Sequence, residues 1–595
     1  MSVRSAPRPA PAGGPAGGPS GGPAGAGSSP AGGQALGQRR VLIIFAGLVL
    51  AILLSALDQT VVSTALPTIA GDLHGLNQLS WVITAYLLAA TVTIPIYGKI
   101  GDLFGRKNVF IFSIVVFLVG SALSGTSQSM LELILFRALQ GVGAGGIMIG
   151  AQAIIGEVIS ARDRGRYMSI MMPMIGVATV IGPLVGGFLT QHASWRWIFY
   201  INLPIGAVAL AVIGVGLKLP KIDRQPVIDY WGTALLAAGV SCIVLLASLG
   251  GTTFAWASGP VIGLAVAAVV LLVAFARVEG RVKEPIMPLR LFRNPIFAVS
   301  IGLGFAVGFA MIGAVSYLPT FLQLVGGASA TNSGILLLPL VAGMMTASVV
   351  TGQLISRTGR YKVFPILGTA TSAAGLYLLS TMGPATTSLS SSIYMVVLGL
   401  GLGLIMPVLT LVVQNAVSFQ DLGVATSGVN FFRQIGGSIG VALAGTLFTS
   451  RLATQLVAHL PAGAAHGAAA HAAGITPAAL RNLPPAVHHG FVVAFANSLP
   501  PVFLDFTPLL VAAFVLSWFL IEKPLSTRAH ASREAGQPAA DQVAGQVAGV
   551  TAAEVAVEVA AEVGEQTARA GASAGAAGLA TAARAAGAGA AAEQG

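Results

Sequence analysis

The sequence predicts an all-α, polytopic membrane protein of fourteen transmembrane helices, and three observations carry that expectation. Of its 595 residues 55% are hydrophobic and only 9% charged, with a mean hydropathy of +0.84, far from the balance of a soluble domain. Apolar runs long enough to span a bilayer recur along most of the chain, whereas a secretory signal would supply one, near the start. The net charge of +11 sits in short loops between those runs, which is a topology signal rather than a face for nucleic acid.

Residues 1–38 are rich in Pro, Gly, Ala and Ser, carry no core-forming pattern, and are expected to form a disordered cytoplasmic tail. The spans follow at 41–66, 80–99, 108–126, 131–155, 167–190, 198–217, 232–250, 260–277, 297–322, 333–355, 363–382, 391–416, 427–450 and 502–521, each bounded by charge or by Gly/Pro clusters. The single cysteine, Cys242, lies inside an apolar run, which excludes internal disulfides and thiolate metal sites. A long external loop at 451–501 holds His466, His471, His488 and His489 without the spacing of a metal cage, so no metal is expected there. The tail at 524–595 is of low complexity, and no function is assigned to it.

With the first residues inside, the tails and inside loops hold 27 of the 31 Lys and Arg, helix-end residues being counted with the adjacent loop. Outside loops hold Arg196, Arg451 and Arg481, and Arg137 lies within a span. That asymmetry predicts that both termini are cytoplasmic, in agreement with an even number of spans.

One acid stands where its surroundings are hydrocarbon. In LDQTVVSTALP, Leu57 to Pro67, Asp58 lies 17 residues beyond Val41, about 26 Å along a helix, against a hydrocarbon core of about 30 Å. A carboxylate there is costly unless paired, hydrated or protonated. Either the helix ends near Asp58 and the acid meets the headgroups, or Asp58 is a titratable site in a pathway. The apolar continuation VVSTALP favours the second reading.

Further along, GKIGDLFGRK (Gly98 to Lys107) occupies the inside loop between spans two and three. Gly98 and Gly105 permit a tight turn and close helix approach. Asp102 is placed to pair with Arg106 and Lys107 or to cap a neighbouring helix, an arrangement that forms in one conformation and breaks in another and so makes a latch. A plain positive-inside loop explains the cations but not the Gly–Asp–Gly spacing.

This loop resembles the signature of the major facilitator superfamily, and LDQTVVSTALP resembles the first-helix signature of its fourteen-helix drug:proton antiporters, the EmrB/QacA type. LILFRALQGVGAG, centred on Arg137, is similar to the fourth-helix motif. GVATVIGPLVGG, Gly176 to Gly187, is similar to the fifth-helix antiporter motif, with Gly182 and Pro183 as its central pair. WRWIFYINLPIG, Trp195 to Gly206, and NFFRQIGGSIG, Asn430 to Gly440, are also typical of that branch. The resemblance covers residues 40–522. It implies a fold of two six-helix halves, at 39–217 and 297–523, with two inserted helices and a linker at 218–296.

The residues support that implication by themselves. Arg137 lies about 9 Å from the outer end of the fourth span, and Asp58 sits at a matching level of the first. An Asp and an Arg on facing helices are then expected to share a water-accessible pocket, each lowering the cost of the other. Protonating Asp58 would upset their balance and bias a conformational equilibrium. Gln140 is expected to join this polar cluster, Glu132 to serve as a proton entry group, and Asp505 to meet the headgroups. In the fifth span, Gly182, Gly186 and Gly187 allow close packing and Pro183 favours a kink; the family resemblance assigns the motif to sealing and bending. GVGAGG, Gly141 to Gly146, follows no strand, so it is not read as a dinucleotide loop. GQLISRTGRYK, Gly352 to Lys362, stands in the second half where the latch stands in the first, but with Ser356 in place of Asp102, which puts a symmetric latch in doubt.

The expected function is therefore proton-coupled export of drug-like, hydrophobic or cationic small molecules across the inner (plasma) membrane, with protons and lipid as partners and no cofactor. An exporter of one native metabolite or lipid is the alternative. An enzyme is not expected, because the spans hold no clustered His or Cys ligands and the chain no nucleotide loop.

Overall fold

The computed structural model describes residues 31–74, 78–217, 227–251, 253–328, 330–460 and 484–525. The expectations for residues 1–30 and 526–595, and for His466, His471 and Arg481, lie outside them. Among the described residues every long element is an α-helix. In order they are α1 (Ala31–Asp72), α2 (Leu79–Phe104), α3 (Arg106–Thr126), α4 (Met130–Val158), α5 (Ala161–His192), α6 (Trp197–Tyr200) and α7 (Asn202–Gly216). The two inserted helices are α8 (Tyr230–Leu249) and α9 (Gly259–Glu279), followed by the short α10 (Leu289–Phe292). The second half comprises α11 (Pro295–Leu324), α12 (Ala330–Leu336), α13 (Leu338–Thr358), α14 (Val363–Ser380), α15 (Ser388–Ala416), α16 (Leu422–His459), α17 (Pro485–Ser498) and α18 (Pro500–Trp518).

Among the described residues thirteen stretches are long and apolar enough to cross a membrane. The fourteenth expected span, 167–190, lies within α5, a continuous helix whose first turns carry Arg162, Arg164 and Arg166 and whose later turns are glycine-rich. Several boundaries differ from the sequence expectation. The first helix begins at Ala31, so residues 31–38 of the expected disordered tail are helical; Gln34, Ala35 and Leu36 are good helix formers. Similarly, α16 starts at Leu422 and continues to His459, and α17 fills part of the expected loop at 451–501. Apolar periodicity stops at the first polar residues, whereas a helix runs on until something caps it.

Caps are legible where side chains supply them. Ser129, Ser160, Asn294 and Thr387 accept the first free N–H groups of α4, α5, α11 and α15. Gly105 (φ 93°) turns the chain between α2 and α3, and Gly359 (φ 71°) does the same between α13 and α14, the corresponding place in the second half.

Each half has its own apolar core. Phe45, Phe110, Ile114, Phe117 and Ile213 centre the first, and Phe297, Leu402, Val412, Phe491 and Phe503 the second. Helices α8 and α9 pack on each other, and α8 also lies against α2 and α16, one from each half. The chain between α9 and α11 straps this pair down. Ile286 and Met287 are buried with Ile94 and Ile149 of the first half and Phe431 and Ile435 of the second. Glu279 accepts the N–H groups of both Ile286 and Met287. Lys99 pairs with Glu284 at 2.6 Å, and Arg290 with Asp421 at 2.7 Å.

The basic loops gather on one face. There Arg162 donates to the carbonyls of Ser356 and Arg357, and Arg106 to that of Phe419. On the opposite face Trp195 donates to Asp72, Arg196 to the Ser127 carbonyl, and Arg451 pairs with the expected headgroup acid Asp505 at 2.7 Å.

Candidate functional site

Helix α1 does not stop at Asp58; it continues to Asp72 and buries the carboxylate, which is 1% exposed. Arg137 on α4, also 1% exposed, forms an ion pair with Asp58 Oδ2 through Nη1. The same Nη1 donates to Gln140 Oε1 at 2.9 Å, one turn along α4. Gln140 Nε2 in turn donates to Asp58 Oδ1 at 2.8 Å, closing a ring of three side chains. Asn202, at the start of α7, donates a further hydrogen bond to Asp58 Oδ1 at 2.9 Å and another to Ser121 Oγ at 2.9 Å. The Arg137 guanidinium lies 4.1 Å from the centre of the Tyr86 ring, a cation–π contact. Tyr86 reaches it because Gly141 lets α4 approach the α2 backbone: a Cβ there would stand 3.0 Å from the Tyr86 carbonyl carbon.

The expected Asp58–Arg137–Gln140 cluster is therefore assembled, with two changes. It is closed to solvent rather than water-accessible, because Tyr86, Ser121 and Asn202 cover it. Glu132 is not part of it. Ser129 and Glu132 form the cap of α4, Glu132 N donating to Ser129 Oγ and Gln128 N to Glu132 Oε2 at 2.8 Å, so this acid is held at the helix start.

The glycines of α5 pack against α1 beside Asp58. A Cβ at Gly182 would stand 2.5 Å from Thr60 Cβ, and one at Gly186 2.9 Å from the Val61 carbonyl. Thr60 donates to the Ala178 carbonyl at 2.9 Å across the same seam. Gly176 faces the other half, where a Cβ would lie 2.7 Å from Val341 on α13. Gly187 differs from the expectation, since nothing lies near its missing Cβ. The helix is continuous through Pro183, whose side chain is outside the described ones. Gly182→Leu is expected to force α1 and α5 apart, lowering the unfolding temperature of the purified protein by several degrees and cutting transport at least ~10-fold. Wild-type transport in that variant would remove the motif from the mechanism.

On the basic face, Asp102 fills both roles open to it. It pairs with Arg106 at 2.8 Å, and it accepts the N–H groups of Gly423 and Val424 at 3.0 Å each, capping α16 in the other half. Arg106 also pairs with Glu157 at 3.0 Å and covers the Phe419 ring at 4.6 Å. Gly98 permits the approach, since a Cβ there would stand 2.7 Å from Ser427 Cβ. Lys107 is not in the latch; its ammonium donates to the Gly214 carbonyl at 2.7 Å, at the end of α7.

The counterpart in the second half exists in altered form. Gly352 packs on α5, where a Cβ would stand 2.6 Å from Ser169 Cβ, as Gly98 does on α16. The acid has changed sides: Ser356 Oγ meets Asp163 Oδ1 at 3.4 Å, and Asp163 belongs to the helix being met rather than to the loop. Comparing loop with loop hid this exchange.

Sequence reasoning missed three participants. Asn202 and Tyr86 lie in apolar spans as uncharged residues, and only charges stand out against such a background. Arg433 falls on the inner side, where cations are the rule, and so does not stand out in the sequence. It is buried within α16, 7% exposed, where Nη2 donates to Asn430 Oδ1 at 2.5 Å.

A family profile described as Major Facilitator Superfamily matches residues 48–441. An uncharacterised MFS-type transporter of Mycobacterium tuberculosis is 47% identical over 496 residues, covering 83% of this chain and 72% of that protein. The multidrug transporter protein MdtP of Bacillus subtilis is 39% identical over 427 residues, covering 71% and 79%. Multidrug resistance protein 3 of the same organism is 33% identical over 505 residues, covering 84% and 98%. Among solved structures, the proton:xylose symporter XylE aligns with a TM-score of 0.56 at 14% identity, over 84% of this chain and 99% of XylE, a likeness of fold alone.

Proposed function

The chain belongs to the major facilitator superfamily, and from that premise we propose that it exports drug-like small molecules in exchange for protons by alternating access. The observation that carries this reading is the buried Asp58–Arg137 pair. Three donors, from Arg137, Gln140 and Asn202, converge on the carboxylate, an arrangement complementary to its charged form. A proton on Asp58 removes the ion pair and sets a hydroxyl against donors, so the packing of α1, α4 and α7 responds. Through Gly182 and Thr60 that change reaches α5, which also touches α13 of the other half.

The basic face is cytoplasmic in this reading and the membrane is the plasma membrane. Asp102, Arg106 and Asp163 hold the halves together on that face, as in a state closed to the cytoplasm. The driving force is ample: about 2.3 kcal/mol for each proton crossing 100 mV, and about 1.4 kcal/mol for each pH unit. Relatives named as multidrug transporters and efflux pumps support the class of cargo. The test is transport of dyes by proteoliposomes under an imposed pH gradient, together with substrate-induced proton release from the purified protein. Gradient-dependent transport with proton release is expected; transport that ignores the gradient, without proton release, would make the protein a facilitator and not an antiporter.

A further inference from the structure

We infer that the buried guanidinium of Arg433, with the side-chain amides of Gln152 and Asn430, forms a subsite in the transport pathway that receives an anionic group of the transported molecule. The inference deepens the transporter reading and rests on it. It also departs from the hydrophobic or cationic cargo that the sequence suggests.

Arg433 lies eleven residues into α16, about 16 Å along the helix, near the middle of a hydrocarbon core of about 30 Å. A guanidinium does not lose its proton in a protein, so a full positive charge resides there. Arg137, buried within the first half's spans, has a carboxylate, Asp58. Arg433 forms no ion pair among the described residues. Its contacts are a neutral amide oxygen, Asn430 Oδ1, and a weak acceptor, Met406 Sδ at 3.6 Å. Charges at this depth mark pathways and are normally matched; this one is matched by no carboxylate among the described residues.

A second observation is independent of the first. Gln152 on α4 is fully buried, and its Nε2 has no hydrogen-bond partner among the described residues, so a donor stands idle in the same cluster. Gln152 Oε1 accepts from Asn430 Nδ2 at 2.8 Å, and the Gln152 carbonyl accepts from Gln414 Nε2 at 3.1 Å. These bonds cross from the first half to the second on the inner side of Arg433, Gln414 lying two residues from the end of α15 and Gln152 six from the end of α4, in the seam between the halves where transporters of internally repeated architecture hold their cargo. When the halves part, the bonds break and free the amide donors of Asn430 and Gln414 beside Arg433 and Gln152 Nε2. Donors around a cation suit a carboxylate, sulfonate or phosphate. Gln414 Oε1, the one idle acceptor of the group, suits a hydroxyl or N–H on the same molecule.

The test is equilibrium binding to the full-length protein in phosphatidylcholine nanodiscs, where no gradient exists. The probes are two matched pairs, 2-naphthoate with 2-naphthamide and naphthalene-2-sulfonate with its sulfonamide. Each anion is expected to bind at least ~10-fold tighter than its neutral partner, since charge-assisted bonds are about twice as strong as neutral ones. Arg433→Gln should erase that advantage and leave binding of the neutral probes unchanged, and Arg433→Lys should retain part of it. Equal binding within each pair in the wild type overturns the inference, as does absent binding of both anions or an advantage that survives Arg433→Gln. Should that variant not fold, Gln152→Met decides: it leaves the charge, removes a donor, and is expected to weaken anion binding ~3-fold or more, whereas unchanged affinity counts against the site. Repeating the assay with phosphatidylglycerol separates a lipid headgroup, which would compete, from a soluble anion, which would not be displaced. Anion preference without substrate-induced proton release sinks the antiport reading alone; proton release driven only by neutral or cationic compounds sinks this inference alone.

Discussion

Asp58→Asn is expected to lower proton-driven export at least ~100-fold in proteoliposomes and to abolish substrate-induced proton release. The substitution is not a quiet mimic of protonation. Three donors face the carboxylate, two of them at 2.8 and 2.9 Å, so the NH2 of an asparagine must oppose at least one. Arg137 keeps its charge in a site that is 1% exposed, and removing one member of a buried pair costs about 3–5 kcal/mol. A fall in unfolding temperature should accompany the functional loss. Asp58→Glu should retain partial exchange. Arg137→Lys should be poor, because an ammonium cannot bond Asp58 and Gln140 and also lie flat over Tyr86. Normal exchange by purified Asp58→Asn would show that the coupling group is elsewhere, and Asp505 and Glu132 would be tested next.

The second large effect is expected at the latch. Arg106→Ala should reduce transport at least ~10-fold while substrate affinity changes by less than ~3-fold, because the residue holds the halves together and lies away from the Asp58 cluster. Its guanidinium joins Asp102, Glu157 and the Phe419 carbonyl at 2.8, 3.0 and 3.0 Å. Without it Asp102 keeps its two backbone bonds to α16 but loses its counter-ion. Asp102→Asn should be milder, since an amide oxygen still caps one N–H. Parallel binding and flux measurements on purified protein check this. Equal losses of both would assign Arg106 to substrate binding instead.

Much of this was legible in the chain, and the reasons differ by residue. Asp58 and Arg137 stand out because a charge in an apolar run has few explanations. Asp102 could be read as a helix cap because short acids between glycines do little else as well. Asn202 escaped because an uncharged amide in a span carries no charge that demands a partner, although it lay within a stretch singled out for other reasons. Tyr86 looked like core, and only the approach of α4 reveals that its face covers a cation. Arg433 lies six residues into the span expected at 427–450, as deep as Arg137 in its own, and escaped because it falls on the inner side, where cations are the rule. Asp163 could not have been matched with Ser356 by aligning loops, because the acid moved to the opposite side of the contact.

The strap between α9 and α11 ties the inserted helices to both halves. It grips both halves, yet unequally. Ile286 and Met287 are buried among residues of both halves, whereas the ionic ties have one exposed end each: Glu284 is 44% and Arg290 67% exposed in the side chain. Exposed pairs are worth about 0–1 kcal/mol, far less than burying two large apolar side chains. Under the alternating-access proposal, the ionic ties are the weaker holds and are expected to yield before the apolar pair does.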